Sequence, residues 1–575
     1  MKKTRRAAML ILTLALVTVI AAGCAGKPQT DPGTQTNAPD GQTENPTEEP
    51  VVDVLAGYTI WSSGREQGTA AAETSKQVEE YEAVAPTAEE FSVAYYFGNN
   101  MIVPRDRKIV IWGTAPESQN GKIVAAEFKG LKGSGTIENG EFSFYLSGTL
   151  PASGEKGHSL IVRGADGFEK EFQDVLVGDI WLVSGQSNAD LTFTGTVAQS
   201  TKDLKNLYGS YLDNATADDN IRIMHQINWN LLNTTGVKRM KTPQTDVTRT
   251  TKWQIAERKR VYGASGTSFS MLGYFFAKEL YTINPDVPIG IIMTACGGAP
   301  LSLLVSADAL EKFPASLKNR SLTLNGITIP PAGIYNAFAA PMEKVGVTGI
   351  IFYQGESDAD KTDDYCIALK ASVEDFREKF GSDLLFLNVQ LTSYGYESGG
   401  AKLEGVWDKV PEMRFAQSIV KIDGSIHNYE VIPSIDVGWR EGDGDGAHPY
   451  YKLELGQRGA KMAAAIVYGI GDMENAGCPI PGRIGYKDNE IVIEYKYAGG
   501  GLKTVNGAAI AGFEVKKGGS WQKVEPVIEG NLIRIAVDNA QGVRYAADLH
   551  YTSTDTANLC SGTDNIAVPF SVEFN

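Results

Sequence analysis

Residues 178–190 read GDIWLVSGQSNAD, and the rest of the chain is organised around this stretch. Residues 179–184 form a short, mostly apolar run between two glycines, a pattern that predicts a buried strand. A polar turn follows and puts Ser187 just beyond the carboxyl end of that strand. Open α/β sheets bind their ligands at this end of their strands. Ser187 is therefore a candidate functional residue, and the alternative is that it only caps a helix.

Length and charge bound the class of protein. The chain has 575 residues, which is too many for a single hydrophobic core, so we expect two to four domains. Its formal net charge is -16. A surface this acidic argues against nucleic acid as a partner, because phosphate backbones are bound by clustered lysine and arginine.

Residues 1–23 have the pattern of a targeting signal. A basic start precedes an apolar run over residues 7–20, which is too short to span a membrane as a helix. Small residues then precede Cys24, and the whole resembles a bacterial lipoprotein signal. The resemblance implies that Cys24 becomes a lipid-modified N-terminus that anchors an extracytoplasmic protein to the cell membrane. An ordinary secretory signal cut nearby is the alternative.

Residues 24–52 are predicted to form a disordered tether. The segment is rich in Pro, Thr, Gln, Asn, Asp, Glu and Gly and contains no aromatic residue. A stretch of this composition cannot bury enough apolar surface to fold.

The pattern of the remaining chain changes twice. Residues 53–177 and residues 473–575 contain short β-prone runs separated by turns, which is typical of small β domains. Residues 178–472 alternate strand-like runs with amphipathic helical patterns, which indicates a mostly parallel sheet covered on both faces. We therefore predict an α/β protein with a three-layer central domain flanked by N-terminal and C-terminal β-sandwich-like domains. Residues 198–265 fit the alternation poorly and are interpreted as a long insertion.

Apolar spacing predicts the central helices and strands. The apolar residues of 365–380 recur at helical steps, and Gly381 ends the pattern. Residues 272–280 show the same spacing, as does the stretch from His448 to about residue 468. Buried strands are predicted at residues 289–295, 349–353, 384–391 and 431–437.

The cysteines do not form a metal motif. The chain has no CxxC and no cysteine–histidine cluster at metal spacing, so we expect no zinc site. We also expect no cofactor. Cys478 and Cys560 both lie in the last segment, and the sequence leaves open whether they form a disulfide.

Two glycines follow the second predicted strand. Residues 289–300 read IGIIMTACGGAP, and the bare backbone at Gly297 and Gly298 lets an N–H group approach a ligand. The alternative is a simple turn.

Polar residues also follow the third predicted strand, in the stretch YQGESD of residues 353–358. The side-chain amide of Gln354 can donate a hydrogen bond to a developing oxyanion. The paired carboxylates Glu356 and Asp358 would suit a glycosidase. Residues two apart after a strand are, however, more often solvated or bonded to local backbone.

The fourth stretch is a glycine-rich loop, DGDGAHP, over residues 443–449. His448, one of five histidines, has an acidic residue, Asp445, three positions before it in this loop. A general base needs a neutral imidazole that is oriented through its other nitrogen, and Asp445 can supply that contact. A calcium loop is the alternative, but the run is too short and lacks the later glutamate.

Together and in this order, these stretches resemble the SGNH (GDSL-type) hydrolases and, more narrowly, the sialate O-acetylesterase family. The likeness extends from about Phe97 to the end of the chain. Its specific motifs are the GQSN block, the strand followed by GG, the QGES block and the late Asp/His loop, at residues 178–188, 289–300, 352–357 and 445–449.

The resemblance implies a Ser/His esterase. Ser187 would be the nucleophile, His448 the base, and Asp445 the residue that orients His448. The oxyanion hole would consist of the backbone N–H groups of Ser187 and Gly298 and the amide of Gln354. The implied substrate is an O-acetylated carbohydrate. O-acetylated sialic acid is favoured, and acetylated xylan or another plant polysaccharide is the alternative.

The sequence departs from the family pattern at several points. Phe352 stands where the family usually has Trp, and Ala189 replaces the usual Met. Many relatives place the acid two residues before the histidine, so Asp443 competes with Asp445, and a dyad without an essential Asp also remains open. A hypothesis from another class is an inactive glycan-binding lipoprotein. The oligomeric state is undetermined.

Overall fold

The computed structural model describes residues 53–63, 90–193, 208, 218–226, 234–261, 269–395, 397–398, 401–402, 408–440, 446–548 and 557–574. The predicted signal, the lipidation site Cys24, the tether up to residue 52, and both Asp443 and Asp445 lie outside these residues. Residues 55–575 cluster as one unit by their contacts.

A mostly parallel sheet forms the centre of this unit, as the alternating pattern predicted. The strand at one edge, Trp253–Ala256, is antiparallel to its neighbour, and the other strands on the path are parallel. A further strand, Ile102–Pro104, pairs with the start of the central strand. The strand order is Trp253–Ala256, Asp218–His225, Ile289–Met293, Leu176–Gly185, Gly349–Tyr353, Leu385–Val389, Tyr429–Ile432.

Helices cover both faces of the sheet. Successive strand residues point to opposite faces, so neighbouring side chains of one strand report on both layers. The ring of Phe386 lies 6.0 Å from that of Phe376 on the helix Thr362–Phe380. The next side chain, Leu387, faces Gly459 on the helix Leu453–Ala463. The central region therefore has three layers.

The bounds of the helices largely follow the predicted spacing. Thr362–Phe380 ends at Gly381, as predicted, and Met271–Ile283 contains the predicted 272–280 pattern. The helix after His448 is in two parts, an α-helix and a π-helix. The α-helices are Ser187–Asp190, Thr234–Arg239, Arg258–Val261, Met271–Ile283, Ala307–Glu311, Ala315–Lys318, Thr362–Phe380, Val410–Ile422, Leu453–Ala463 and Met473–Ala476, and the π-helices are Tyr335–Ala339 and Ala464–Tyr468.

The regions before and after the central sheet are rich in small antiparallel sheets. The N-terminal sheets have the strand orders Ser92–Val93, Val110–Thr114, Glu141–Tyr145 and Leu131–Thr136, Ile123–Phe128, Leu160–Arg163, Glu169–Phe172. The C-terminal sheets have the orders Thr59–Ile60, Ile480–Lys487, Glu490–Lys496, Leu532–Ala536, Val527–Glu529 and Ser520–Lys523, Phe513–Lys517, Gly542–Tyr545, Phe570–Glu573, with Leu502–Thr504 paired to Leu559–Ser561. Two short hairpins pair Leu322–Leu324 with Ile327–Ile329 and Glu397–Ser398 with Ala401–Lys402.

At the N-terminus, neither the pairing of strands nor the grouping of core residues matches the predicted division into consecutive domains. Thr59–Ile60 pairs with Ile480–Lys487, so the first described strand belongs to a C-terminal sheet. The apolar side chains of the N-terminal sheets share one core cluster with the central sheet, whereas most of the C-terminal ones form a second cluster. The division of the chain into three domains stays a prediction.

Two local expectations differ from the structure. Residues 198–265, interpreted as an insertion, contribute the strands Asp218–His225 and Trp253–Ala256 to the central sheet. The strand predicted at residues 431–437 is Tyr429–Ile432, because Pro433 has no N–H group to continue the ladder.

The structure also addresses the cysteines and membrane-spanning helices. Cys478 and Cys560 are buried thiols and form no disulfide. Each helix in the described ranges is too short or too polar to span a bilayer. Across those ranges no three His, Cys, Asp or Glu side chains are grouped as a metal site requires.

Candidate active site

The site lies where three neighbouring strands end. Leu176–Gly185 pairs with Gly349–Tyr353 up to Gly185 and Tyr353, and Gln186 N–H then donates to Tyr353 O over 3.0 Å. On the other side, Cys296 N–H donates to Gly185 O over 3.0 Å. The segments that follow these strands are therefore held next to one another.

Gly185 makes this close approach possible. Its φ is 128°, which favours glycine, and a Cβ here would lie 2.0 Å from Tyr353 O. No other residue fits between the strand and the turn that carries Ser187.

Ser187 begins the short helix Ser187–Asp190 and is half-buried. The Cβ of Ser187 lies 3.8 Å from where a Cβ at Gly297 would be, so the GG turn borders the serine. Gly298 has a φ of 76°, as this turn requires. The backbone N–H groups of Ser187, Gly297 and Gly298 make no hydrogen bond to any residue that the structure describes. These donors remain available to a ligand oxygen.

His448 reaches this region through its sequence neighbours. The Nδ2 of Asn188 donates to Ala447 O over 3.2 Å, and this carbonyl belongs to the peptide bond that precedes His448. Gly395 N–H donates to the carbonyl of Gly446 over 2.8 Å. No hydrogen bond joins Ser187 and His448 themselves among the described contacts. Such catalytic contacts are often long before substrate binds.

Gln354 is more deeply enclosed than the sequence suggested. Its side chain is 0% exposed, and its Nε2 donates to Asp358 Oδ2 over 2.7 Å. The second N–H faces Gln186 Oε1 and Ala299 O, both at 3.3 Å. Tyr365 donates to Gln354 Oε1 over 2.6 Å. The amide therefore links strand ends, and its predicted role as an oxyanion donor requires the second N–H to leave these acceptors.

Glu356 and Asp358, expected to be solvated or bonded locally, are instead buried and bonded to other segments. Glu356 Oε1 accepts from Asn188 Nδ2 and from Tyr394 Oη, each over 2.7 Å. Asp358 Oδ2 accepts from Leu301 N–H over 2.7 Å as well as from Gln354. The two carboxylates thus bind different segments of the chain through their hydrogen bonds.

A buried lysine next to the turn that carries Ser187 was not predicted. Lys452, at the start of the helix Leu453–Ala463, is 1% exposed, and its Nζ donates to Asn188 Oδ1 over 2.9 Å. No periodicity or motif identified this lysine, since only the fold brings it to a residue 264 positions earlier.

Burial raises the pKa of the Asp358 carboxyl to about 6, although the Leu301 N–H, Arg320 and Gln354 favour its charged form. Because this pKa differs between the folded and unfolded protein, we predict that the stability of the fold depends on pH. The unfolded carboxyl is already ionised above pH ~4, so between pH ~4 and ~6 the folded state binds more protons. The free energy of unfolding should fall by about 3 kcal/mol as pH rises through this window, and Asp358→Asn should lack this component.

Chemical denaturation at pH 4 to 7 measures this effect. Asp360→Asn is the control, because partial burial would raise the pKa of Asp360 but its hydrogen bond to Arg320 holds it below the usual value. A difference between wild type and Asp358→Asn that is independent of pH would contradict the prediction.

Comparison with known proteins supports a common origin of this region. Residues 177–463 match the model of a carbohydrate esterase family described as sialic acid-specific acetylesterase. Human sialate O-acetylesterase is 24% identical over 325 residues, which cover 55% of this chain and 58% of the human protein. The mouse sialate O-acetylesterase is 24% identical over 444 residues, covering 68% of this chain and 76% of that protein. The chain thus aligns with less than two thirds of the human relative's length.

A solved structure has the same fold. The crystal structure of a carbohydrate acetylesterase from Xanthomonas citri superposes with a TM-score of 0.66 and covers 84% of this chain and 99% of its own. At 24% sequence identity, this likeness concerns the fold alone.

Proposed function

Because residues 177–463 belong to the sialic acid-specific acetylesterase family of carbohydrate esterases, as the four motifs predicted, we propose that the protein removes O-acetyl groups from carbohydrate. The proposal rests on the junction of three strand ends around Ser187, where the backbone N–H groups of Ser187, Gly297 and Gly298 have no partner among the residues that the structure describes. This arrangement suits acyl transfer, which needs a nucleophile beside donors for an oxyanion.

In the proposed reaction Ser187 Oγ attacks the acetyl carbonyl and passes its proton to His448. The tetrahedral intermediate then collapses, and His448 returns the proton to the departing sugar oxygen. The acetyl group remains as an ester on Ser187. His448 next takes a proton from water, whose oxygen attacks this ester. The second tetrahedral intermediate collapses with cleavage of the bond to Ser187 Oγ, His448 returns the proton to that oxygen, and acetate leaves.

The oxyanion would be stabilised by backbone donors. The N–H groups of Ser187 and Gly298 have no other partner among the described residues, which supports this assignment. Removing one such donor typically lowers kcat about 10²–10³-fold. Gln354 is the proposed third donor, through the N–H that faces Gln186 and Ala299 at 3.3 Å.

Asp445 is the proposed partner of the second imidazole nitrogen, with Asp443 as the alternative. Cys24 is the proposed site of the lipid anchor that would hold the enzyme at the outer side of the cell membrane. Both proposals rest on the sequence motifs.

The substrate assignment is tested by measuring acetate release from O-acetylated sialic acid, acetylated xylan and an aryl acetate. We expect release from O-acetylated sialic acid, because the family to which residues 177–463 belong is named for that substrate. The aryl acetate serves as a control for the ester chemistry itself.

Each other outcome would change the proposal in a defined way. Release from xylan alone would move the substrate to plant polysaccharides. Turnover of the aryl acetate alone would contradict a carbohydrate substrate of either class. No turnover of any ester would favour the inactive glycan-binding protein.

A further inference from the structure

Two buried charges flank the turn that carries the nucleophile, and the proposed reaction uses neither. Lys452 is 1% exposed and Glu356 is 7% exposed. Burying one charge without a counter-charge is strongly unfavourable, so the two must be compensated within the protein.

Asn188, the residue after Ser187, lies between the two charges. Its carbonyl oxygen Oδ1 accepts from Lys452 Nζ over 2.9 Å, and its Nδ2 donates to Glu356 Oε1 over 2.7 Å. The negative end of the amide dipole therefore faces the ammonium and the positive end faces the carboxylate. Hydrogen bonds to charged groups are the stronger class, so each charge fixes the orientation of the amide.

The same amide also makes the contact that reaches the histidine loop. Its Nδ2 donates to Ala447 O over 3.2 Å, on the peptide that precedes His448. Asparagine is suited to this position because it accepts one hydrogen bond and donates two. An aspartate here would present oxygen to Glu356 and to the carbonyl of Ala447, and neither of these can donate.

Both ends of this arrangement are held by further contacts. Tyr394 Oη donates to Glu356 Oε1 over 2.7 Å, and the Lys452 ammonium lies 5.1 Å from the centre of the Tyr353 ring. A cation over an aromatic face gains electrostatic energy when it is shielded from water. These contacts therefore link three segments through Asn188: the nucleophile turn, the QGES segment and the start of the helix after His448.

We infer that Lys452, Asn188 and Glu356 form a positioning relay that sets Ser187 against His448, with Lys452 as the residue that locks the Asn188 amide. The inference rests on the proposed esterase function. Loss of the relay would leave the substrate contacts in place but misplace the nucleophile relative to its base. A misplacement of about 1 Å can lower the rate about 10²-fold.

The test compares Lys452→Met with wild type on an aryl acetate and with a serine-directed phosphonate. We expect kcat to fall about 10–100-fold with KM changed less than about threefold, and phosphonate labelling of Ser187, followed by mass, to slow by a similar factor. Glu356→Gln preserves the shape of the side chain and tests the carboxylate end of the relay. We expect this variant to lower kcat about tenfold. This second variant tests the relay even where Lys452→Met does not fold.

Lys421→Met is the matched control. Lys421 pairs with the buried Glu430 over 2.7 Å, away from the nucleophile turn, so its loss should lower stability and leave kcat per folded molecule unchanged. Labelling of Lys452→Met and Glu356→Gln at the wild-type rate, or an effect on KM alone, would overturn the relay. Absence of labelling in wild type would overturn the relay and the esterase together. Normal labelling without release from carbohydrate would overturn only the substrate assignment.

Discussion

Replacing Ser187 by alanine should lower kcat for an aryl acetate about 10⁴–10⁶-fold, the effect expected when a covalent nucleophile is lost. The change removes only the oxygen of a half-buried side chain that donates no hydrogen bond to a described residue, so the fold should be preserved. The residual rate would come from the backbone donors and from substrate binding, which this substitution leaves in place.

Steady-state kinetics with thermal unfolding on the same samples measures this effect. Ser372→Ala is a suitable control, because Ser372 is a buried serine that donates only to Ala368 O within its own helix. A phosphonate should add mass to wild type at Ser187 and should not label Ser187→Ala. Retention of more than about a tenth of the wild-type kcat in Ser187→Ala would exclude Ser187 as the nucleophile.

The strands that carry the site could be predicted because each is a short apolar run that ends in glycine or polar residues. Gly349–Tyr353 has the predicted bounds, and Leu176–Gly185 contains the predicted run of residues 179–184. Parallel strands with ends at one edge then bring their following segments together. Three of the motifs follow such strands, so the strand pattern accounts for their meeting at one edge of the sheet.

The strand Asp218–His225 was missed because a charge interrupts its apolar pattern. Arg222 lies in the middle of this strand and is 0% exposed. Its guanidinium pairs with Asp174 over 2.8 Å, which compensates its burial. In a sequence, a buried arginine cannot be distinguished from an arginine on the surface. Only the position of Asp174 in the fold shows that Arg222 is buried and paired.

The contacts around Asn188 could not be predicted for a related reason. Asn188 and Glu356 are 168 positions apart, and no pattern in the sequence links them. Residues that hold a site together need only form hydrogen bonds to one another in the folded protein. These contacts produce no regular spacing of residues in the sequence, whereas a strand or a helix produces a periodic apolar pattern.

His448→Ala should lower kcat about 10⁴-fold or more, because Ser187 would have no base to take its proton and no acid to protonate the departing sugar oxygen. The fold should tolerate the change, since the substitution keeps the backbone of Gly446 and Ala447, whose hydrogen bonds help to hold this loop. His427→Ala is the control, as His427 is an exposed histidine in the turn before the strand Tyr429–Ile432. Asp445→Asn and Asp443→Asn, measured alongside, identify the residue that orients His448, and we expect the larger loss with Asp445→Asn. Equal and small losses in both would indicate a Ser/His dyad. If kcat for His448→Ala stays within about tenfold of wild type, His448 is not the base. Another group must then take the proton of Ser187, because the reaction does not proceed at that rate without a base.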